Sequence, residues 1–210
     1  MRIYIASSWE NYYLSELVQA LRASGYWVYD FRHPSEGENG FEWSDIDSKY
    51  KTWDAEKFVE KLNSSRPAKR QFLSNIEAMQ SCDVCVLALP SGGTAHAEAG
   101  WFAGQGKKVY VYLPDDEFAP ELVYKLFDKI CLGLKDLVFS IFRDECLKEI
   151  EKLDLGADDD KEKQIRIKAV QDEFNKILTE ELIVMMRHQG HYSPKEIVDF
   201  IIEHFIQIID

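Results

Sequence analysis

No run of about 18 apolar residues occurs in the 210-residue sequence, so it offers no candidate membrane-spanning helix. The opening residues, MRIYIASSWE, lack the apolar core of a secretory signal, and a cytoplasmic protein without a membrane partner is expected. Cysteine is scarce. Cys82, Cys85, Cys131 and Cys146 are too few for a disulfide framework and are expected as free thiols. Cys82 and Cys85 form a C-x-x-C, but positions three apart on a strand point to opposite faces, so the pair reads as buried small residues rather than a redox or metal motif. Basic residues are also in deficit: 25 Lys and Arg stand against 37 Asp and Glu, a net charge of −12. That excludes the basic footprint a duplex nucleic-acid binder needs, while leaving room for a local site that takes a small anion.

Two phosphate motifs are missing as well. No G-x-G-x-x-G follows the first apolar run and no G-x-x-x-x-G-K-[ST] occurs anywhere, which removes support for dinucleotide and P-loop readings. No His, Cys, Asp or Glu cluster calls for a metal, and no cofactor is expected. The spaced carboxylates near 144–151 and 172–181 read as solvated helix faces.

What is present is alternation. Apolar runs at 2–7, 26–30, 83–89 and 108–113 read as strands, separated by helical periodicity. Leu14, Leu17, Val18 and Leu21 mark the first helix, and Gly25 is placed to end it. Two further helical stretches fall near 52–63 and 68–80, and another at 95–105. Solidly apolar strands in this order imply an α/β fold, an open, mostly parallel sheet of flavodoxin or Rossmann type with helices on both faces. From Pro120 the pattern reads as entirely helical, beginning with PELVYKLFDKI. Residues 1–133 are expected as the α/β domain and 134–210 as a helical C-terminal extension. Ser193, Pro194 and Glu196 spell a capping box at the start of the last helix.

Ligands of open parallel sheets bind beyond the carboxyl ends of the strands. Those ends carry Ser7 and Trp9, Phe31 and Arg32, and the loop Ser91-Gly92-Gly93, all candidate binding residues. The last is the best place for an anion, since glycines admit close approach and the helix behind presents free N–H groups. Glu98 follows. With a helix starting near Thr94, Ala95, Glu98, Trp101, Phe102 and Gln105 form one stripe, which puts a carboxylate on the face toward the sheet. Burying it unpaired costs several kcal/mol. Tyr4, mid-strand, is a plausible hydroxyl donor to it. A structural carboxylate paired with a cation and a nucleophile are equally compatible with these residues. His96 stands about 200° around the helix from Glu98, so the two cannot share a face, and it is a candidate binding residue only if the helix starts late or the pocket wraps around its end.

RIYIASSW followed by GTAHAEAGWFAGQGKKVYVYLPD resembles the nucleoside 2-deoxyribosyltransferase family and its nucleoside-monophosphate N-glycosidase relatives, over about residues 1–125. The resemblance implies cleavage or transfer of the N-glycosidic bond of a nucleoside or nucleotide by double displacement. It places the nucleophile on Glu98, its tyrosine partner on Tyr4 and the substrate-flanking aromatic on Trp9. A usually acidic position falls on Asn75, and a second one on Gly92. The Ser- and Gly-bearing loop is closer to the monophosphate-hydrolase branch, where it receives a 5′-phosphate. In FEWSDID, Asp47 is the candidate for the leaving group's proton, Asp45 stands behind it, and Trp43 beside Phe41 is the expected base-stacking wall. The resemblance also implies a homo-oligomer whose neighbour contributes from PELVYKLF, with Glu121 or Tyr124 the candidates. Two other readings stay open: a non-catalytic nucleotide-binding or sensing module, and an interaction adaptor built on the helical tail.

Overall fold

The computed structural model describes residues 1–34, 39–115, 118–153, 159–179 and 193–205. The chain separates into two compact units, Met1–Leu134 and Lys135–Asp210.

The first unit is built on a parallel sheet of β1 (Arg2–Ala6), β2 (Trp27–Tyr29), β3 (Val84–Ala88), β4 (Lys108–Leu113) and β5 (Lys129–Leu132), in the order β2-β1-β3-β4-β5. Every residue of β3 is buried, as a central strand covered on both faces requires. The helices are α1 (Leu14–Ala23), α2 (Ala55–Ser64), α3 (Arg66–Ser81) and α4 (Gly93–Gly104). Helix α1 buries Leu14, Leu17, Val18 and Leu21, the expected stripe, and Gly25 follows at φ 86°, the left-handed residue that closes a helix. Asp54 and Ser65 cap α2 and α3 by accepting from the backbone N–H three residues on. One glycine is required by close approach: a Cβ on Gly40 would meet the Phe31 carbonyl oxygen, and the Gly40 N–H donates to Arg32 O at 2.7 Å.

One expectation is corrected. PELVYKLFDKI opens no helix; Leu122–Leu126 make a short 3-10 turn and Lys129–Leu132 form the fifth strand. Asp128 sets this course. Its carboxylate accepts from Val109 N–H at 2.8 Å and its own N–H donates to Val109 O at 2.9 Å, laying the chain along the open edge of β4. A helical stripe there would have had nothing to bury, since Leu122 and Leu126 stay 88% and 69% exposed.

In the second unit α5 (Leu134–Ile150), α6 (Asp160–Ile177) and the helix Pro194–Phe205 gather Phe142, Cys146, Ile167, Phe174, Ile197 and Ile201 into a separate core. The capping box is formed: Ser193 N–H donates to Glu196 Oε2 at 2.7 Å and Glu196 N–H to Ser193 Oγ at 3.3 Å. Among the described residues no helix is long and apolar enough to cross a membrane. None of the four cysteines forms a disulfide, and all four are buried.

Candidate active site

Strand register creates the first half of the site. Parallel pairing of β1 with β2 sets Tyr4 beside Tyr29, so both rings leave the same face of the sheet. They stack with centroids 5.3 Å apart, and Phe102 of α4 closes on Tyr4 at 5.4 Å. Helix α4 lies over β3 and buries Ala95, Ala99 and Phe102. This corrects the expected stripe: Ala99 rather than Gln105 belongs to the buried face, Gln105 is exposed, and Glu98 stands at the edge of that face beside Tyr4.

Glu98 keeps some solvent contact, yet protein atoms surround most of it. Burial drives its carboxyl up to about 7, while the Tyr4 hydroxyl pulls it the other way. Tyr4 itself is pushed far above the ordinary phenol range, first by burial and then by the Glu98 charge. Its buried hydroxyl makes no hydrogen bond of normal length and angle, so the pair is close enough to interact but not closed. Among the described residues no group of three His, Cys, Asp or Glu gathers as a cation site would require.

Tyr29 was not singled out from the sequence, though pairing the first two apolar runs in parallel would have put it next to Tyr4. Its hydroxyl donates to Asn75 Oδ1 at 2.8 Å, meets Ser74 Oγ at 3.1 Å and accepts from Gln71 Nε2 at 3.4 Å. Gln71 also donates to Asn75 Oδ1 at 2.7 Å and accepts from Phe41 N–H at 3.2 Å. Asn75 is thus brought to the Tyr4–Tyr29 pair, and α3 is tied to the Phe41–Trp43 loop.

The other expected residues divide. Trp9 and Phe31 meet edge to face at 5.5 Å beyond β1 and β2, with Trp9 39% exposed, an available apolar wall. Ser7 is occupied, donating to Ala88 O at 2.9 Å and accepting from Asn11 Nδ2 at 2.9 Å, which ties β1 to β3. Arg32 is spent on buried Asp30 through contacts of 3.2 and 3.1 Å, so its charge is already neutralised. Trp43 packs in its own loop, its ring centroid 5.0 Å from that of Phe41 and 5.8 Å from that of Trp53. Asp45 is consumed by a cap, accepting from Glu42 N–H at 2.9 Å. Asp47 accepts from Trp53 Nε1 and Lys49 N–H, each at 2.8 Å. These donors, with Lys57, hold its carboxyl below the ordinary range. It is held as a carboxylate, which sets it against the proton-donor role expected of it.

On the opposite flank of α4, toward β4 and β5, lies a cavity of about 440 Å³ lined by Ser91, Gly92, Gly93, His96, Glu121 and Tyr124. Leu89 and Phe118 add apolar wall. Gly92 is the N-cap of α4, so it supplies no side chain to occupy the free N–H groups of the first turn. A methyl on Gly92 or Gly93 would meet open space, so a side chain there would crowd the cavity and not the fold. The Ser91 hydroxyl is buried without a partner. Free amides, a helix N-terminus and an orphaned hydroxyl are features that suit an anion electrostatically. Tyr124 lines this cavity in its own chain, buried and with its hydroxyl 3.3 Å from His96 Nε2.

No family model matches the chain, and no curated protein matches it by sequence. Among solved structures it is similar to a 2-deoxyribosyltransferase from the psychrotolerant bacterium Bacillus psychrosaccharolyticus, 19% identical, with a TM-score of 0.48 over 66% of this chain and 90% of that one. It is also similar to a CMP N-glycosidase from Clostridium botulinum, 17% identical, with a TM-score of 0.35 over 67% of this chain and 98% of that one. Both are proteins of the kind that the sequence resemblance names.

Proposed function

We propose that the chain cleaves or transfers the N-glycosidic bond of a (deoxy)ribonucleoside or nucleoside 5′-monophosphate, with Glu98 as nucleophile. The observation that carries this reading is Glu98 itself, a carboxylate desolvated beside a buried tyrosine hydroxyl that has no other partner. Desolvation strips the carboxylate of the water that would blunt its attack, and Tyr4 is the donor that keeps enough of it ionised.

An oxygen of Glu98 bonds to the anomeric carbon as the carbon–nitrogen bond breaks, and the electron pair of that bond leaves with the base, which takes a proton from solvent water. Water or a second base then attacks the same carbon and restores the carboxylate. The logic is that of retaining glycosidases. Asp47, ionised, suits orienting a donor group on the base better than protonating it.

A 5′-phosphate would sit on the Ser91–Gly93 loop. Glu98 lies five residues beyond Gly93, ~7.5 Å along the helix axis at ~1.5 Å per residue but on the other flank of α4, so a substrate held at both points passes across the N-terminal end of the helix. Trp9 and Phe31 are the apolar wall for the base. A homo-oligomer is part of the reading, supported by Leu122, Leu126 and Leu132, exposed by 88, 69 and 74%. Four buried cysteines outside any disulfide accord with a cytoplasmic location.

The test is a panel of nucleosides and 5′-monophosphates, with and without an acceptor base, scored by chromatography for free base and exchanged product. Base release from a subset of the panel is expected, and exchange separates transferase from hydrolase. A panel that releases no base would leave a binding module and end the enzymatic reading.

A further inference from the structure

His96 sits in the first turns of α4 with both ring nitrogens engaged. Nδ1 lies 2.9 Å from the Gly92 carbonyl oxygen, and Nε2 lies 3.3 Å from the Tyr124 hydroxyl, which donates to Ala119 O at 3.1 Å. The rings of His96 and Tyr124 stack, 5.8 Å between centroids and 23° from parallel. Hydrogens can be counted along this row. Two carbonyl oxygens terminate it, and each only accepts, so Nδ1 must carry a hydrogen and Tyr124 must give its one hydroxyl hydrogen to Ala119. The Tyr124 oxygen is then left to accept from Nε2, which needs a second hydrogen on the ring. All three bonds form together only with an imidazolium. A neutral ring with its hydrogen on Nδ1 leaves Tyr124 one hydrogen for two acceptors, and one contact is lost.

The surrounding charges decide when that second hydrogen is welcome. Tyr124 stays protonated, pushed up by burial and by Glu121. Glu121, the one carboxylate lining the cavity among the described residues, attracts an imidazolium and repels an incoming anion. The N-terminal end of α4 does the reverse, opposing a cation on His96 and attracting an anion. Glu98 is on the same helix but its other flank. With a neutral His96 the lining side chains are net negative. With an imidazolium they balance, and an anion at the loop stabilises that charge against the helix end.

We infer that anion binding at the Ser91–Gly93 loop and protonation of His96 are coupled, with about one proton taken up per bound phosphate-like dianion. His96 is then a positioning residue. Through Gly92 and Tyr124 it fixes the loop to the 119–124 segment in the arrangement that recognises a 5′-phosphate. The inference rests on the anion-subsite reading above and deepens it.

Sulfate is the probe, a dianion that does not itself titrate between pH 5.5 and 8.5. Its binding is measured by calorimetry across that range in buffers of different ionisation enthalpy. The measurement uses Glu98→Gln, so that the carboxyl near the site contributes no proton. Affinity should fall toward tenfold per pH unit at the alkaline end, with proton uptake approaching one at pH values where the free ring is neutral. Adding His96→Gln should leave weaker binding that no longer varies with pH. Adding Tyr124→Phe should shrink the proton uptake, and Glu121→Gln should tighten binding while its pH dependence remains. Affinity independent of pH, or an unchanged pH dependence after His96→Gln, overturns the coupling alone. Absence of sulfate binding at every pH overturns the subsite and the coupling with it, while base release through Glu98 would still stand on its own assay.

Discussion

The ring of Tyr4 lies 5.3 Å from that of Tyr29 and only 14° from parallel, and burial, with a smaller push from the charge of Glu98, raises the pKa of both hydroxyls. Stacking removes most of Tyr4's rotational freedom, and Tyr29 is in turn held by Ser74, Asn75 and Gln71. The hydroxyl that faces Glu98 is thus positioned by a chain of contacts running back to α3. That pre-organisation matters, because a donor placed beforehand costs no ordering when charge shifts on the carboxylate.

Tyr4→Phe removes the group that pulls the Glu98 carboxyl down toward its ionised form. Activity should fall roughly 10–100-fold, the worth of a hydrogen bond to a charged group at about 1.5–3 kcal/mol. The acid limb of the pH–rate profile should move to higher pH, so the loss is larger at pH 6 than at pH 8. An unshifted acid limb would show that the hydroxyl does not act on Glu98.

Stability should carry the signature of the same carboxyl. Its folded-state pKa stands above the unfolded value, at about 7 against 4.5, so the native protein holds the extra proton between those pH values. Stability contributed by the protonated form is present at the acid end and lost as pH rises through that window, by on the order of 3 kcal/mol. Glu98→Gln should therefore stabilise the protein in urea at pH 8 and change little at pH 4.5. Equal effects at the two pH values would mean that the carboxyl is not desolvated.

Ser91 tests the anion loop from the opposite direction. Its buried hydroxyl lacks a partner, a cost of about 1–3 kcal/mol that an alanine does not carry. Ser91→Ala should unfold at equal or higher denaturant concentration than the parent. It should also raise KM about tenfold for a 5′-monophosphate while leaving the unphosphorylated nucleoside unaffected. A loss of stability would show the hydroxyl to be partnered within the protein.

Lys107 carries no part of the chemistry but holds the ground on which α3 and α4 stand. Its ammonium donates to the carbonyls of Met79 at 2.9 Å, Gln80 at 2.8 Å and Cys82 at 2.6 Å, the unsatisfied end of α3. Lys107→Met keeps the stem and removes the charge. A loss of about 2 kcal/mol in urea is expected, with KM little changed if the Tyr29–Asn75 contact survives.

Much of this architecture could be read from the residues, and the gaps have physical causes. The first four strands announced themselves because a covered parallel strand must be apolar throughout. Lys129–Leu132 gave no such signal, since three of its four residues are exposed at the sheet edge and its course depends on Asp128 binding the Val109 backbone. Glu98 and Tyr4 were legible because a charge in an apolar helix demands a donor. The Tyr29–Asn75–Gln71 network was not, because it depends on which face of α3 meets the sheet. Arg32 and Ser7 looked free in sequence only because their partners, Asp30 and Asn11, are ordinary polar residues until folding brings them within reach.

The most direct measurement is release of free base by Glu98→Ala, followed by chromatography on the best substrate of the panel, with circular dichroism matching the parent. Loss of release by at least a thousandfold, at the scale of a removed catalytic nucleophile, is expected. Release at the parent's rate would contradict the assignment of the nucleophile and, with it, the proposed reaction.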